Sequence, residues 1–168
     1  MPDSLPTENG LGNTDPPAAR RRWMAVLARA DAGQLAGLLE AWGPAPAYRV
    51  LRGPESGLVM VRGRAGGTGG RFNLGEMTVT RCTVRTEPSD QGQAGSGTTG
   101  HAYVAGRNGA HAELAALLDA LLQDPEQTAG LHAAVVAPLA AAQDARRRAV
   151  AGKAAATQVK FFAMQTTR

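Results

Sequence analysis

The apolar residues of this chain change their spacing twice, and that change limits the folds it can adopt. Helical spacing runs through residues 20–42, strand-like runs rich in Val and Thr fill residues 48–105, and helical spacing returns over residues 108–156. Helices that are segregated from strands along a chain are typical of the α+β class. The order predicts an α+β domain with a mostly antiparallel sheet, an N-terminal helical pair and C-terminal helices.

Two short helices are predicted at the start of the domain. Asp31 has the position of an N-cap, and Gln34 follows three residues later as in a capping box. Gly43 and Pro44 then end the second helix. Apolar residues recur at helical spacing in both helices: Trp23, Val26, Leu27 and Ala30 in the first, and Leu35, Leu38, Leu39 and Trp42 in the second.

The strands are predicted from β-branched runs and from turn residues between them. Residues 48–52 and 58–62 flank a Gly-Pro-Glu-Ser-Gly stretch, which indicates a β-hairpin. A short strand is expected at 72–74, with Gly75 at a bulge, and a long strand at 77–86. Residues 100–105 predict a further strand, and the apolar residues 159–164 predict a last strand that closes the sheet.

Helices are predicted again after the last of the central strands. Asn108 can cap a helix whose apolar stripe includes Leu114 and Leu118. Pro125 starts a shorter helix, and residues 139–156 form a helix rich in Ala and Arg. The whole of 19–168 is expected to be a single domain.

Two segments have compositions that do not favour packing. Residues 1–18 contain four Pro and little apolar bulk, so we expect a disordered N-terminal extension. Residues 87–99 are rich in Gly, Ser and Gln, and we expect a flexible insert.

Charge and cysteine content favour some classes of protein over others. The net charge of +4 rests mainly on Arg, and it reflects a general composition bias better than nucleic-acid binding. A single cysteine, Cys82, excludes an internal disulfide framework and a cysteine-based zinc cluster. No apolar run approaches a membrane span, and residues 1–17 do not resemble a secretory signal. A cytoplasmic protein that binds neither membrane nor nucleic acid is expected.

A Gly-rich loop is the first candidate for an anion site. Its backbone amides could cradle a phosphate group, and an Arg stands at each end. No Gly-Lys-Ser/Thr follows, so the loop is not a P-loop. A hairpin tip with solvated arginines explains the same residues. The candidate residues are Arg64, Gly66, Gly67, Thr68, Gly69 and Arg71.

A second candidate is the start of the helix after Asn108. Helix N-termini attract anions, and Arg107 could add a bidentate contact to one. His111 lies in the first turn and could take part. The alternative is an ordinary cap, with His111 buried and hydrogen-bonded.

Other polar residues give weaker indications. His101 shares a strand face with Tyr103 and is a possible acid or base by residue type, although the sequence shows no partner for it. Arg81 and Arg85 share a strand face that could bind a phosphate or a partner. Cys82 is expected to be a packed, inert thiol. The spacing of the three histidines fits no metal site, and no nucleophile–base pair can be identified. We therefore predict no catalytic residue and no metal ligand.

Several ordered blocks resemble the PhnG family of phosphonate-metabolism proteins. The most distinctive are the Gly-Gly-Thr-Gly of residues 66–69 with the Phe-Asn-Leu-Gly-Glu-Met-Thr-Val-Thr-Arg-Cys that follows, and the Gly-His-Ala-Tyr-Val-Ala-Gly-Arg of residues 100–107. The resemblance covers residues 20–164. Its blocks are 21–28, 57–62, 66–69, 72–82, 100–107, 111–113, 135–139 and 161–164.

The resemblance implies an accessory, non-catalytic subunit of the bacterial carbon–phosphorus lyase complex, with PhnH, PhnI and PhnJ as partners. That complex displaces adenine from ATP with a phosphonate and forms ribose 1-phosphonate 5-triphosphate. ATP would be a substrate of the complex, and no cofactor is expected on this chain. Alternatively, this chain contributes phosphonate- or triphosphate-binding residues to a shared active site, from among Arg64, Arg71, Arg81, His101, Arg107 and His111.

Two features depart from the family pattern. The 87–99 insert is longer than the family's usual turn, so it is expected to be peripheral. Lys160 stands where members often have an acidic residue.

Overall fold

The computed structural model describes residues 16–87 and 97–159. A π-helical segment, His132–Val136, joins the helix that ends at Leu131 directly to the helix that begins at Ala137. The predicted α+β class is confirmed. The helices are α1 (Pro16–Leu27), α2 (Ala32–Trp42), α3 (Gly109–Leu121), α4 (Pro125–Leu131) and α5 (Ala137–Ala156), and the strands are β1 (Tyr48–Arg64), β2 (Arg71–Thr86) and β3 (Thr99–Ala105).

The predicted helix caps are confirmed by their hydrogen bonds. Asp31 Oδ1 accepts from the Gln34 amide at 3.0 Å, and Asn108 Oδ1 accepts from the His111 amide at 2.9 Å. The helix α1 begins at Pro16, so the predicted end of the extension at residue 18 falls inside it. Proline is well accommodated in a first helical turn because its missing amide would have no partner there. Residues 1–15 lie outside the described residues, and none of the described helices could cross a membrane.

The sheet has three antiparallel strands in the order β1-β2-β3. The hairpin predicted between residues 48–52 and 58–62 is wrong, because both segments belong to β1 and pair with β2. Register shifts between Val50 and Arg52 and between Arg52 and Glu55 absorb the Gly-Pro stretch. Pro54 fits there because β1 is an edge strand, where a missing amide donor is tolerated.

The strands predicted at 72–74 and 77–86 are likewise one strand, β2. Val61 pairs with Gly75 while Arg62 pairs with Asn73, so Leu74 is the extra residue of a β-bulge. Gly75 has a φ of 153°, and the bulge predicted at this residue is confirmed.

Two further predicted segments, the 87–99 insert and the last strand, lie partly outside the described residues. The strand β3 begins at Thr99, one residue inside the segment predicted as the 87–99 insert. Residues 88–96 of that insert and residues 160–164 of the predicted last strand lie outside the described residues.

The helix α3 is the centre of the core. It packs on one face of β2 and β3, and α1 and α2 also contact it. Its burial is nearly complete from Ala115 to Leu121, as expected for a helix enclosed by other elements. The same buried core cluster includes Cys82, Val84, Ala102 and Val104 from the sheet and Leu27, Leu35, Leu131 and Val135 from the helices.

A glycine sets how closely β3 can approach α3. A Cβ atom on Gly100 would lie 2.0 Å from the carbonyl oxygen of Ala116 and 2.5 Å from the amide nitrogen of Ala120. Both are backbone atoms, which cannot move aside as the end of a flexible side chain could. Only glycine therefore fits where the strand crosses the helix.

One carboxylate at this crossing is fully buried. Asp119, on α3, has no exposed surface. Arg20 donates to it twice, from Nε to Oδ1 at 3.0 Å and from Nη2 to Oδ2 at 2.6 Å. Trp23 Nε1 donates to Oδ1 at 3.0 Å, and the His101 amide donates to Oδ2 at 3.0 Å. The carboxylate therefore ties α1 and β3 to the core helix.

We expect Asp119→Ala to lower the free energy of unfolding by about 3–5 kcal/mol, the usual cost of breaking a buried charged pair from one side. The buried indole N–H of Trp23 and the amide of His101 would lose their acceptor. Urea denaturation of the full chain measures this. Asp144→Ala is the control, because Asp144 pairs with Arg147 on an exposed helix face, where an ion pair contributes little. Similar midpoints for both variants would contradict the structural role of Asp119.

We expect Gly100→Ala to destabilise the chain by about 1–3 kcal/mol, as overpacking in a core typically does. Gly37→Ala is the matched control. A Cβ at Gly37 meets nothing within 4 Å, and alanine in a helix is favoured over glycine by up to about 1 kcal/mol. The melting midpoint should thus fall for Gly100→Ala and rise for Gly37→Ala. A neutral Gly100→Ala would show that β3 can shift away from α3.

Candidate functional site

The residues predicted to bind an anion lie in three places along the sheet and at its connection to α3. The first is the turn between β1 and β2, the second is the open face of the sheet, and the third is the start of α3. Each place has its own hydrogen bonds and exposure, and these determine which side chains could meet a ligand.

The Gly-rich loop forms the tip of the β1–β2 hairpin. Gly66 and Gly67 have φ values of 59° and 79°, which glycine adopts without strain. The amide of Gly69 donates to the Ala65 carbonyl at 2.9 Å, so that amide is used within the turn. Arg64 and Arg71 are paired directly across the strands. Two like charges in this position repel each other, and within the described residues no carboxylate forms an ion pair with either.

On the open face of the sheet, Arg81 is already paired. Its Nε donates to Glu55 Oε1 at 2.7 Å, and Arg52 donates to the same oxygen. The pKa of Glu55 is lowered by the hydrogen bond from Arg81 and then by that from Arg52. Arg81 also faces Tyr103 across the strands. This arginine therefore has an ion-pair partner, which it shares with Arg52, unlike the two at the tip.

His101 lies on the same face, beside α1. Its Nδ1 is 3.0 Å from Arg20 Nη2. Since arginine can only donate, Nδ1 accepts and the ring of a neutral His101 carries its proton on Nε2. The imidazole is 51% exposed. The predicted common face of His101 and Tyr103 is confirmed by the alternating exposure of β3.

The start of α3 is largely engaged in its own capping and packing. His111 is buried, and its Nε2 lies 2.8 Å from the Leu27 carbonyl. A carbonyl can only accept, so the ring donates and joins the end of α1 to α3. Asn108 already accepts from the first turn. Arg107 is exposed in the connection just before it.

Cys82 is the buried thiol that the sequence predicts. Its side chain is 1% exposed, and its Sγ lies 3.5 Å from the Arg52 carbonyl. Burial raises the pKa of the thiol. Less thiolate forms at neutral pH as a result, which disfavours nucleophilic chemistry.

The tip and the other groups are too far apart to share one small ligand. The strand β2 runs from Arg71 at the tip to Val79, where β3 begins to pair. Eight residue steps of about 3.3 Å place these positions about 26 Å apart. Among residues 16–87 and 97–159, no cluster of His, Cys, Asp or Glu could hold a metal ion. The anion-binding role of each residue stays a prediction.

The polar residues with the most structural consequence were not among those predicted. Arg20 and Asp119 are 99 positions apart in sequence, and Glu55 lies in the stretch interpreted as a turn. A charged residue within the apolar stripe of α3 was the available signal for Asp119, because a buried carboxylate requires a partner. Nothing local indicates which arginine provides it.

Comparison with known proteins identifies the family. The sequence profile described as phosphonate metabolism protein PhnG matches residues 18–166. A relative from Rhizobium meliloti (strain 1021), named alpha-D-ribose 1-methylphosphonate 5-triphosphate synthase subunit PhnG, is 42% identical over 164 residues, which cover 98% of this chain and 97% of the relative. With the ordered blocks of residues 20–164 and the α+β fold that carries them, the match shows that this chain belongs to the PhnG family of phosphonate metabolism proteins.

Proposed function

We propose that this chain is an accessory, non-catalytic subunit of a complex that displaces adenine from ATP with a phosphonate and forms ribose 1-phosphonate 5-triphosphate. The observation that carries the proposal is the 42% identity to a named synthase subunit over nearly the full length of both chains. PhnI, PhnH and PhnJ are the proposed partners, and the cytoplasm, where ATP is available, is the proposed location. No cofactor is assigned to this chain.

The side chains support an accessory role over a catalytic one. The histidines of the sheet and of α3 are held by Arg20 and by the Leu27 carbonyl, and the only cysteine is buried with a raised pKa. Catalysis by this chain would need a nucleophile or base directed toward substrate. The described residues instead provide a packed core and an exposed, extended hairpin, which suit a subunit that holds other subunits in place.

We expect the purified chain to release no adenine from ATP. When it is added to the other subunits with ATP and methylphosphonate, the attacking group should change from water to the phosphonate. Adenine release followed by chromatography, and ribosyl phosphonate detected by ³¹P NMR, measure the two outcomes. ATP turnover by this chain alone, at a rate that survives removal of contaminating subunits, would contradict the non-catalytic role.

A second candidate function is direct contribution to the substrate site. It is favoured by the cross-strand pair of Arg64 and Arg71, since two neighbouring cations without an ion-paired carboxylate among the described residues would be relieved by a phosphate or phosphonate. Arg107 is the other exposed candidate.

If the tip binds substrate, Arg71→Ala should leave assembly intact and weaken phosphonate transfer by about ten- to a hundredfold, the value of one charge-assisted contact. Arg64→Ala should have the same effect on assembly and transfer. Arg107→Ala tests the start of α3 in the same assay, and Arg148→Ala, on the exposed face of α5, is the control for loss of one positive charge. Normal transfer in all three test variants would leave only the accessory role.

A further inference from the structure

The β1–β2 hairpin extends well beyond the rest of the sheet. The strand β3 pairs with β2 only over Val79–Arg85, whereas β2 begins at Arg71. Residues 58–64 and 71–78 thus form a two-stranded ribbon, called here the arm. A two-stranded ribbon is at best marginally stable in water by itself.

The strand register divides the arm into two unlike faces. Val59 pairs with Met77, Val61 with Gly75, and Gly63 with Phe72, and directly paired residues share a face. Leu74 joins this face, because a Cβ on Gly63 would lie 2.6 Å from Leu74 Cδ1. This apolar face carries only apolar side chains and glycine: Val59, Val61, Gly63, Phe72, Leu74, Gly75 and Met77.

The other face of the arm is mixed, and its charged residues are mainly basic. Met60 pairs with Glu76, and Leu58 with Thr78. Arg62 pairs with Asn73, and Arg64 with Arg71. Three arginines against one glutamate make the outer half of the arm positive. The arm is therefore amphipathic at the strand period of two.

The apolar face is exposed among the described residues. Leu74 is 61% exposed, Phe72 46%, Met77 42% and Val59 38%. The face continues at its base into Val79 and the open side of the sheet, where Glu55, Arg81 and Tyr103 form a polar border. Contiguous apolar area with a polar rim is typical of a protein–protein interface.

We propose that the apolar face of the arm is the surface by which this chain docks onto another subunit of its complex. This inference rests on the proposed function. The partner surface is apolar where it meets this face and acidic around it, since the arginines of the tip lie on the opposite face of the arm. The charges favour a different, acidic protein over a second copy of this chain, because each copy has a net charge of +4 and three arginines in the outer half of its arm. An acidic partner would instead relieve the repulsion between Arg64 and Arg71.

The test compares two double variants in the full chain. Leu74→Ser with Met77→Ser alters the apolar face. Leu58→Ser with Met60→Ser alters the opposite face, where the side chains are equally exposed, at 63% and 50%. Neither pair lies in the core, so circular dichroism and the melting midpoint should match the wild type. Affinity for the remaining subunits, measured by interferometry and by co-purification, should fall at least tenfold for the first variant and less than twofold for the second.

The outcomes separate this inference from the proposed function. If the wild-type chain binds no other subunit, the proposed function fails. If it binds and both double variants bind equally well, only the docking face is wrong. A discrete wild-type dimer that the first variant dissolves, at unchanged affinity for the other subunits, would assign the face to a second copy.

Hydrogen exchange tests whether this chain covers its own arm. We expect amides of residues 71–78 to exchange rapidly in the isolated chain and slowly in the complex. Protection already present in the isolated chain, and lost on Phe161→Ser with Phe162→Ser, would assign the face to the C-terminal segment and overturn the proposal.

Discussion

The carboxylate of Asp119 is the constraint on which the described fold depends. A buried negative charge near the C-terminal end of the core helix is tolerated only when its oxygens are fully hydrogen-bonded. Here four donor contacts meet it, from the guanidinium of Arg20, the indole of Trp23 and the amide of His101. Because these donors come from α1 and β3, satisfying the charge also fixes where both elements lie against α3. The glycine at residue 100, one position before His101, lets the strand come close enough for its amide to reach the carboxylate.

In that arrangement the core packs against one face of the sheet, and the other face remains open. The helices α1, α2 and α3 account for most of the buried apolar side chains, and the inner face of β2 and β3 packs against α3. Beyond Val79 the sheet loses both its third strand and its helical cover, and the arm begins. The protein therefore combines a tightly packed core with an exposed amphipathic ribbon. A chain with these two parts can hold its own fold while presenting a surface that is completed by another subunit.

The separation of the predicted anion-binding residues changes how they can act. Arg64 and Arg71 are brought together at the tip, Arg81 is ion-paired with Glu55, and His111 holds the end of α1. Of these predicted residues, only the tip pair and Arg107 are exposed cations that have no ion pair among the described residues. In the described part of the chain, these exposed arginines do not form a binding pocket by themselves. A substrate contact from this chain is thus more easily made in a site that another subunit completes.

Local sequence determined the helices, two of their N-terminal caps and the position of the bulge. Periodicity placed the helices, Asp31 and Asn108 capped them, and Gly75 marked the bulge, because each of these effects acts over a few residues along the chain. Pairing over longer distances decided the rest. The Gly-Pro stretch at residues 53–54 has the local composition of a turn. The strand β1 nevertheless continues through it, because β1 residues before and after the stretch pair with β2. The pairing of Arg20 with Asp119 across 99 positions, and the collection of apolar residues on one face of the arm, follow from strand register and helix docking. Strand register and helix docking depend on the free energy of the whole packed structure, so they cannot be inferred from a local segment.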